Sequence, residues 1–410
     1  MPGRVFEGKE ESALLGLLAD NLFQVEYVPE QETDWQRVFQ ESVQQAVALH
    51  AYDVASAFLS EQQSKIWGDY AFRSLQYNAT IHGQNTYLHE LLTKNGIDYC
   101  ILKGCSSAYY YPDPFYRAMG DVDFLIRKED IEKATEVLKA EGFTPWDTEH
   151  ICHIVFRKEN MHFEMHFEPA GMPEGKAGEQ IRSYLEDVFE KAELIKTESA
   201  TFLKPSDFHH GLIILMHTYH HMLSEVIGLR HLCDLAVFFD RFSNDEFIDV
   251  FYEKLSAVGL WRFTKILGMV SHRYLGLPYR AWMGNVDETL CADVIGDIFS
   301  GGNFGNKDKE RTNQGIVISN RGKDGIGRPA LVQMIITLNE LACTPYPFLR
   351  KVKVLRPFGW IFLGVRRVCR IVTGKRKMVR IKGMFGAAER RKKIYMQFHL
   401  FETEASEESA

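Results

Sequence analysis

The chain has 410 residues, 45% of them apolar and 25% charged, with a formal net charge of −7. These ordinary globular values exclude a chain disordered throughout, a collagen and a low-complexity protein. The length, two to three times that of a usual domain, points to two domains or one large composite body. No uncharged apolar run reaches the roughly 18 residues that would suggest a spanning helix. The opening MPGRVFEGKEESALL lacks the basic-then-apolar pattern of a secretory signal. Seven scattered cysteines without a C-x-x-C pair exclude a zinc ribbon and read as reduced thiols. The expected location is the cytoplasm.

From residue 10 to 95 the spacing predicts helix: ESALLGLLADNLF, WQRVFQESVQQAVALHAYDVASAFLSEQQ and NTYLHELLTKNG place apolar residues three and four apart. Gly96 closes the last of them. IDYCILKG then reads as a short buried strand ending in Lys-Gly. A helical turn, CSSAYYY, leads into a loop around Pro112 and Pro114, and DVDFLIRK is a second strand. KEDIEKATEVLKAEGF is an amphipathic helix ending at Gly142. CHIVFRKE and MHFEMHFEP form a hairpin turning at Glu159 and Asn160. From residue 175 helix dominates. A strand-rich island at about 97–170 therefore sits inside a helical chain, and the chemistry is expected on the island.

Gly120-Asp121-Val122-Asp123 is the sharpest feature of that island. Residues i and i+2 of a strand share a face, so Asp121 and Asp123 project together, roughly 6–7 Å apart. Val122 and Phe124 face the other way. Two adjacent carboxylates repel and call for a cation, for which hard, oxygen-seeking Mg²⁺ is suited. In HFEMHFE the apolar face is Phe163, Met165 and Phe167, which leaves Glu164, His166 and Glu168 on the other. With the apolar face in the core, Glu164 joins the Asp pair. Three carboxylates are the minimum for two Mg²⁺ ions about 3.5–4 Å apart in nucleotidyl transfer. Glu168 lies beside Pro169, at a fraying strand end, and is expected on the surface. A lone Asp-x-Asp also occurs on the wet face of edge strands. Here it follows Lys103-Gly104, a helix start at Ser106 and Ser107, and a loop with Arg117, all within some 21 residues. Glycine admits close backbone approach, and Lys103 supplies a point charge for phosphate.

The stretch LKGCSSAYYY…FYRAMGDVDFLI…FEMHFEP resembles the uncharacterised nucleotidyltransferase family of bacteria, within the DNA-polymerase-beta-like superfamily. Leu102, Lys103 and Gly104 match the Leu-Lys-Gly pattern of that family. Cys105-Ser106-Ser107 departs from it, small or aliphatic residues being commoner there. The resemblance implies metal binding by Asp121, Asp123 and Glu164, with His166 completing a Glu-x-His pattern. It implies that Gly104 and the following residues hold a nucleoside triphosphate, ATP or another. The proposed nucleotide site is Lys103, Gly104, Ser106, Ser107, Arg117 and Gly120.

Lys204-Pro205-Ser206-Asp207 starts a further helix, DFHHGLIILMHTYHHMLSEV, with His217 and His221 on one face. GLRHLCDLAVFF follows, with Arg230 and Asp234 four apart. These residues form a helical wall over the site, touching nucleotide or acceptor. A zinc site is a second option, and polar packing with an Arg230–Asp234 ion pair a third. No adjacent His-Asp pair occurs, which argues against an HD-type phosphohydrolase.

From Arg350 to Lys393 the chain carries sixteen Lys and Arg against one acid, Glu389. Docking of this basic tail on the acidic remainder ranks first. Peripheral contact with the inner surface of an anionic membrane ranks second, and RNA third. The expected organisation is helical at 1–95, a nucleotidyltransferase core at 96–175, helical at 176–300, a Gly-rich linker at 301–328, a basic helical tail at 329–400 and a disordered acidic end at 401–410. The fold class is α+β: a small mixed sheet flanked by mainly helical regions. The expected function is Mg²⁺-dependent transfer of an NMP from an NTP to an acceptor hydroxyl of a protein, RNA, sugar or small molecule. The rivals are a non-catalytic nucleotide sensor and a membrane-surface scaffold acting through the tail.

Overall fold

Helix α1 (Lys9–Phe23) buries Leu14, Leu17, Leu18 and Leu22, the face its spacing sets. Asp34 caps α2 (Trp35–Gln44) by accepting from the Gln36 and Arg37 amides at 3.1 Å. The apolar run expected to continue through residue 63 is instead interrupted twice. Ala46 takes a left-handed φ of 58° ahead of α3 (Ala48–Ala55), and a short break precedes Ser60. Ser60 and Gln63 form a capping box that starts the 34-residue α4 (Glu61–Lys94). These and the following bounds come from a computed structural model, which describes residues 8–147, 152–224, 227–307, 330–343, 346, 348–372 and 384–402.

Beyond Gly96, also left-handed at 59°, the island folds as read except for one added strand, β3: β1 (Tyr99–Ile101), the single-turn α5 (Cys105–Ala108), β2 (Val122–Ile126), α6 (Ile131–Ala140), β3 (Thr144–Asp147), β4 (His153–Lys158) and β5 (Met161–His166). The β4–β5 hairpin turns at Glu159 and Asn160. The sheet order is β1-β2-β5-β4-β3, antiparallel except for β2 with β5. The fold is thus α+β with a small mixed sheet. Next come α7 (Gly175–Tyr184), a two-stranded ribbon of β6 (Glu193–Lys196) and β7 (Thr201–Lys204), α8 (Asp207–Ser224) and α9 (Leu229–Asp240). Strands β3, β6 and β7 were not anticipated. Each has four residues, too few to display alternation, and β3 contains Pro145.

One face of the sheet packs Val122, Phe124, Phe163 and Met165 against Leu88 and Leu92 of α4 and Leu138 of α6. On the other, Leu125 meets Ile213 of α8. A larger helical core joins α1, α8, α9 and the helices Trp261–Leu275 and Glu288–Gly301. The sheet is therefore clamped between α4 and α8, which fixes the site described next.

The tail divides in two. Helix Met384–Met396 docks on the body: Ala388 and Tyr395 are fully buried, Arg391 donates to the Met222 carbonyl at 3.0 Å, and Arg391 pairs with Asp297 at 3.4 Å. Helices Ala330–Cys343 and Arg356–Val372 pack on each other around a separate small cluster. Most of the expected 301–328 linker and of the 401–410 end lies outside the described residues. Among those described, no helix is long and apolar enough to cross a membrane.

Candidate active site

The parallel pairing of β2 with β5 sets Asp123 opposite Glu164 and Leu125 opposite His166. Cross-strand neighbours lie roughly 5 Å apart, so the register brings the two acids together from strands distant in sequence. Asp121 stands just ahead of β2. Asp123 is buried, 2% exposed, and one of its oxygens, Oδ1, receives two cations. Lys103 Nζ is 3.1 Å away and His166 Nε2 also 3.1 Å. His166 Nε2 also lies 3.5 Å from Glu164 Oε2. Asp121 and Glu164 are close enough to perturb each other's ionisation.

These contacts divide the protons unequally. The Asp123 charge, then burial, pushes the Asp121 carboxyl up to about 7. Burial opposes ionisation of Asp123, but Lys103 and His166 outweigh it and hold that carboxyl below its ordinary range. Burial likewise opposes ionisation of Glu164; its bond to His166 leaves it lowered. Burial would deprotonate His166, yet bonding to Asp123 first, then Cys152 and Glu164, raises it well above an ordinary imidazole. Lys103 is raised in the same way, its burial overcome by Asp123, Asp121 and Glu164. Two cations thus balance two carboxylates, and the third carboxyl keeps its proton. An added cation would let Asp121 ionise. The donor set fits one: ligand atoms of Asp123, Glu164 and His166 lie within 4.8 Å of one another. Carboxylate oxygens dominate, which suits a hard ion.

Lys103 projects from the turn between β1 and α5. Gly104 there has φ 60° and ψ −116°, a conformation that disfavours a side chain. Ser106 donates to the Ile101 carbonyl at 2.6 Å and so locks this turn, its hydroxyl spent on the backbone. Ser107 is buried too, but its hydroxyl has no hydrogen-bond partner among the described residues.

That hydroxyl lines a small chamber of about 20 Å³, bounded by Lys103, Ser107, Arg117, His217, Arg230 and His231, among others. Arg117 grips Asp234 through two bonds of 2.7 Å, and Tyr111 adds a third at 2.7 Å. The i,i+4 pairing of Arg230 with Asp234 is therefore replaced by a long-range one with Arg117. Arg230 instead donates to the Ala118 carbonyl at 3.2 Å and lies over the Phe304 ring at 5.4 Å. His217, His221 and His231 pack ring on ring, at centroid distances of 4.3 to 6.0 Å. Burial, then the nearby cations, lowers all three well below an ordinary imidazole, so they are neutral. The zinc option finds no ligand set here. Among the described residues, the metal-competent groups are the one above and Cys152 with His153 and His166. Glu168, beyond the end of β5, pairs with Arg182 at 2.8 Å at the surface.

A second cavity, of about 560 Å³, is lined by Tyr70, Arg73, Tyr77, Tyr116 and Met119, among others. Tyr77 donates to the carbonyl of Gly120, next to Asp121, at 3.4 Å. Sequence reading missed this cavity, as it missed His231. Tyr70, Arg73 and Tyr77 recur at helical spacing on α4, a pattern equally typical of a solvated helix face.

Residues 31–276 match the family described as uncharacterised nucleotidyltransferase. The chain belongs to this family. The match runs from just ahead of α2 to just past the end of helix Trp261–Leu275, and so includes the carboxylates, the chamber and the cavity; the basic tail lies outside it. A comparison with curated proteins finds no match. As a nucleotidyltransferase the protein is an enzyme of NMP transfer, with an NTP as substrate.

Proposed function

We propose that the enzyme transfers an NMP from an NTP to an acceptor hydroxyl in a Mg²⁺-dependent reaction at Asp121, Asp123 and Glu164. The observation that carries this reading is the convergence of three carboxylates: Asp123 stands in register opposite Glu164, and Asp121 lies two residues ahead, just before β2 begins. A nucleotide sensor has no need of such a cluster. The three acids would hold Mg²⁺, which supplies charge neutralisation on the attacking and leaving oxygens. His166 fixes the orientation of Asp123 and contacts Glu164. Lys103, bonded to Asp123 at 3.1 Å, also lines the chamber and would offer its charge to phosphate there. There Ser107, Arg230 and His231 each present a buried polar atom without a partner among the described residues, around a space of about 20 Å³ that suits a single phosphate oxygen. Arg117 contributes by holding Asp234, and Gly120 by its place beside Asp121. The acceptor approaches from the tyrosine-lined cavity. Its oxygen bonds to the α-phosphorus as the bond to pyrophosphate breaks, and its proton passes to Glu164.

The test is thermal melting with Mg²⁺ and each NTP, then detection of pyrophosphate. Saturation at about 100 times the dissociation constant should stabilise the protein by roughly 2.7 kcal/mol. No metal-dependent stabilisation by any NTP would reject the site. Stabilisation without pyrophosphate release, across acceptors, would favour the sensor.

A further inference from the structure

Among its described side chains, helix Arg356–Val372 has apolar residues on two sides, of which one is covered. Trp360 and Leu363 pack on the cluster of Ala342, Cys343 and Leu349, and Trp360 Nε1 donates to Asn339 at 3.1 Å. On the other side Phe358, Ile361, Phe362 and Val365 follow i, i+3, i+4, i+7 spacing, with Phe362 also meeting the Tyr346 ring edge-on at 5.7 Å. They are 65%, 64%, 60% and 55% exposed. A continuous stripe of large apolar side chains facing water marks an interaction surface. The segment that carries it is strongly basic. Lys351, Lys353 and Arg366 are exposed beside it, and the sequence from Arg350 to Lys393 carries sixteen basic residues against Glu389.

We propose that this face of helix Arg356–Val372 seats on an anionic lipid surface, with the apolar stripe at the acyl boundary and the flanking Lys and Arg among the headgroups. The charge decides between occupants. A second copy would bring an equally basic segment against this one, and like charges oppose that pairing. RNA would satisfy the charge but leave Phe358, Ile361, Phe362 and Val365 in water. An anionic bilayer surface satisfies both, and the helix is too short and too charged to cross it. The docked Met384–Met396 helix then ties the seated segment to the catalytic body.

The experiment is co-sedimentation of the full chain with vesicles of phosphatidylcholine alone or mixed with phosphatidylglycerol. Binding to the mixed vesicles, weakened by salt and absent with phosphatidylcholine alone, is expected. The double variant Phe358→Asp, Ile361→Asp should partition at least about tenfold more weakly, as two large apolar side chains stop being buried. Both positions are exposed, so its melting temperature should match wild type, and its NTP-dependent melting shift should persist. Wild-type protein left in the supernatant with anionic vesicles would overturn the proposal. So would a solution dimer, seen by light scattering and broken by the double variant, without vesicle binding. RNA binding that survives the double variant, again without vesicle binding, would assign the charge elsewhere.

Discussion

Arg117 and Asp234 are 117 positions apart in sequence, yet they meet in a two-pronged ion pair, both bonds 2.7 Å long and both residues buried. The pair ties the loop that delivers Asp121 to helix α9, and so fixes the carboxylates relative to the chamber. Truncating one partner leaves a buried charge without its counterion, which costs about 3–5 kcal/mol. Asp234→Ala should lower unfolding free energy in denaturant titration by that order. Arg117→Met with Asp234→Leu should recover much of it, since apolar replacement of both partners removes the desolvation cost.

Asp121 and Asp123 should respond oppositely to loss of charge. Asp121→Asn removes a group that Asp123 and burial disfavour as an anion, so stability without divalent ions should rise at pH 8. Asp123→Asn strands Lys103 and His166, so stability should fall. The sign with pH follows. The folded pKa of Asp121, about 7, lies above its ordinary 3.8, so its contribution is full below about 4 and is lost as pH rises through 7. Melting curves from pH 4 to 8 should show this loss in wild type and not in Asp121→Asn.

The strand face, the hairpin turn and the Asp–Glu pairing were legible because each rests on a period of two or on one turn. The burial of Asp123 was not. A sequence gives a side chain's face, but Lys103 and the α8 wall that cover this face arrive from other elements. The Arg230–Asp234 spacing misled for a related reason. Helical proximity offers a partner, but Arg117 offers better two-point geometry from a loop that no local pattern connects to α9. Lys103-Gly104 was readable, since a left-handed turn demands glycine; the hydroxyl of Ser106 was not, because its backbone acceptor is set by how the chain closes.

Glu164 and Glu168 separate by geometry. Glu164 pairs in register with Asp123, whereas Glu168 lies beyond β5 and holds Arg182. Glu164→Gln should abolish Mg²⁺-dependent pyrophosphate release. Glu168→Gln should retain it, with a stability change below about 1 kcal/mol, the scale of a surface pair. Loss in the second with retention in the first would reverse the roles.

His210 offers a test away from the catalytic residues. It is fully buried on α8, stacked against Tyr110 at 5.1 Å, and neither ring nitrogen has a hydrogen-bond partner among the described residues. Burial, then the Lys204 charge, lowers its pKa to about 3. Unfolded, the same histidine takes up a proton near its ordinary 6.5. Between those values the unfolded chain binds more protons, so stability is lost as pH falls from about 6.5 toward 3. A shift of that size corresponds to a loss on the order of 5 kcal/mol when fully expressed. His50, buried and lowered to about 3, adds a loss of the same sign. Leucine matches the imidazole in bulk and has no polar atoms to leave unsatisfied. His210→Leu should therefore raise the melting temperature at pH 7 and flatten its fall between pH 6.5 and 4.5. An unchanged acid slope in this variant would mean that His210 is not buried as a neutral ring.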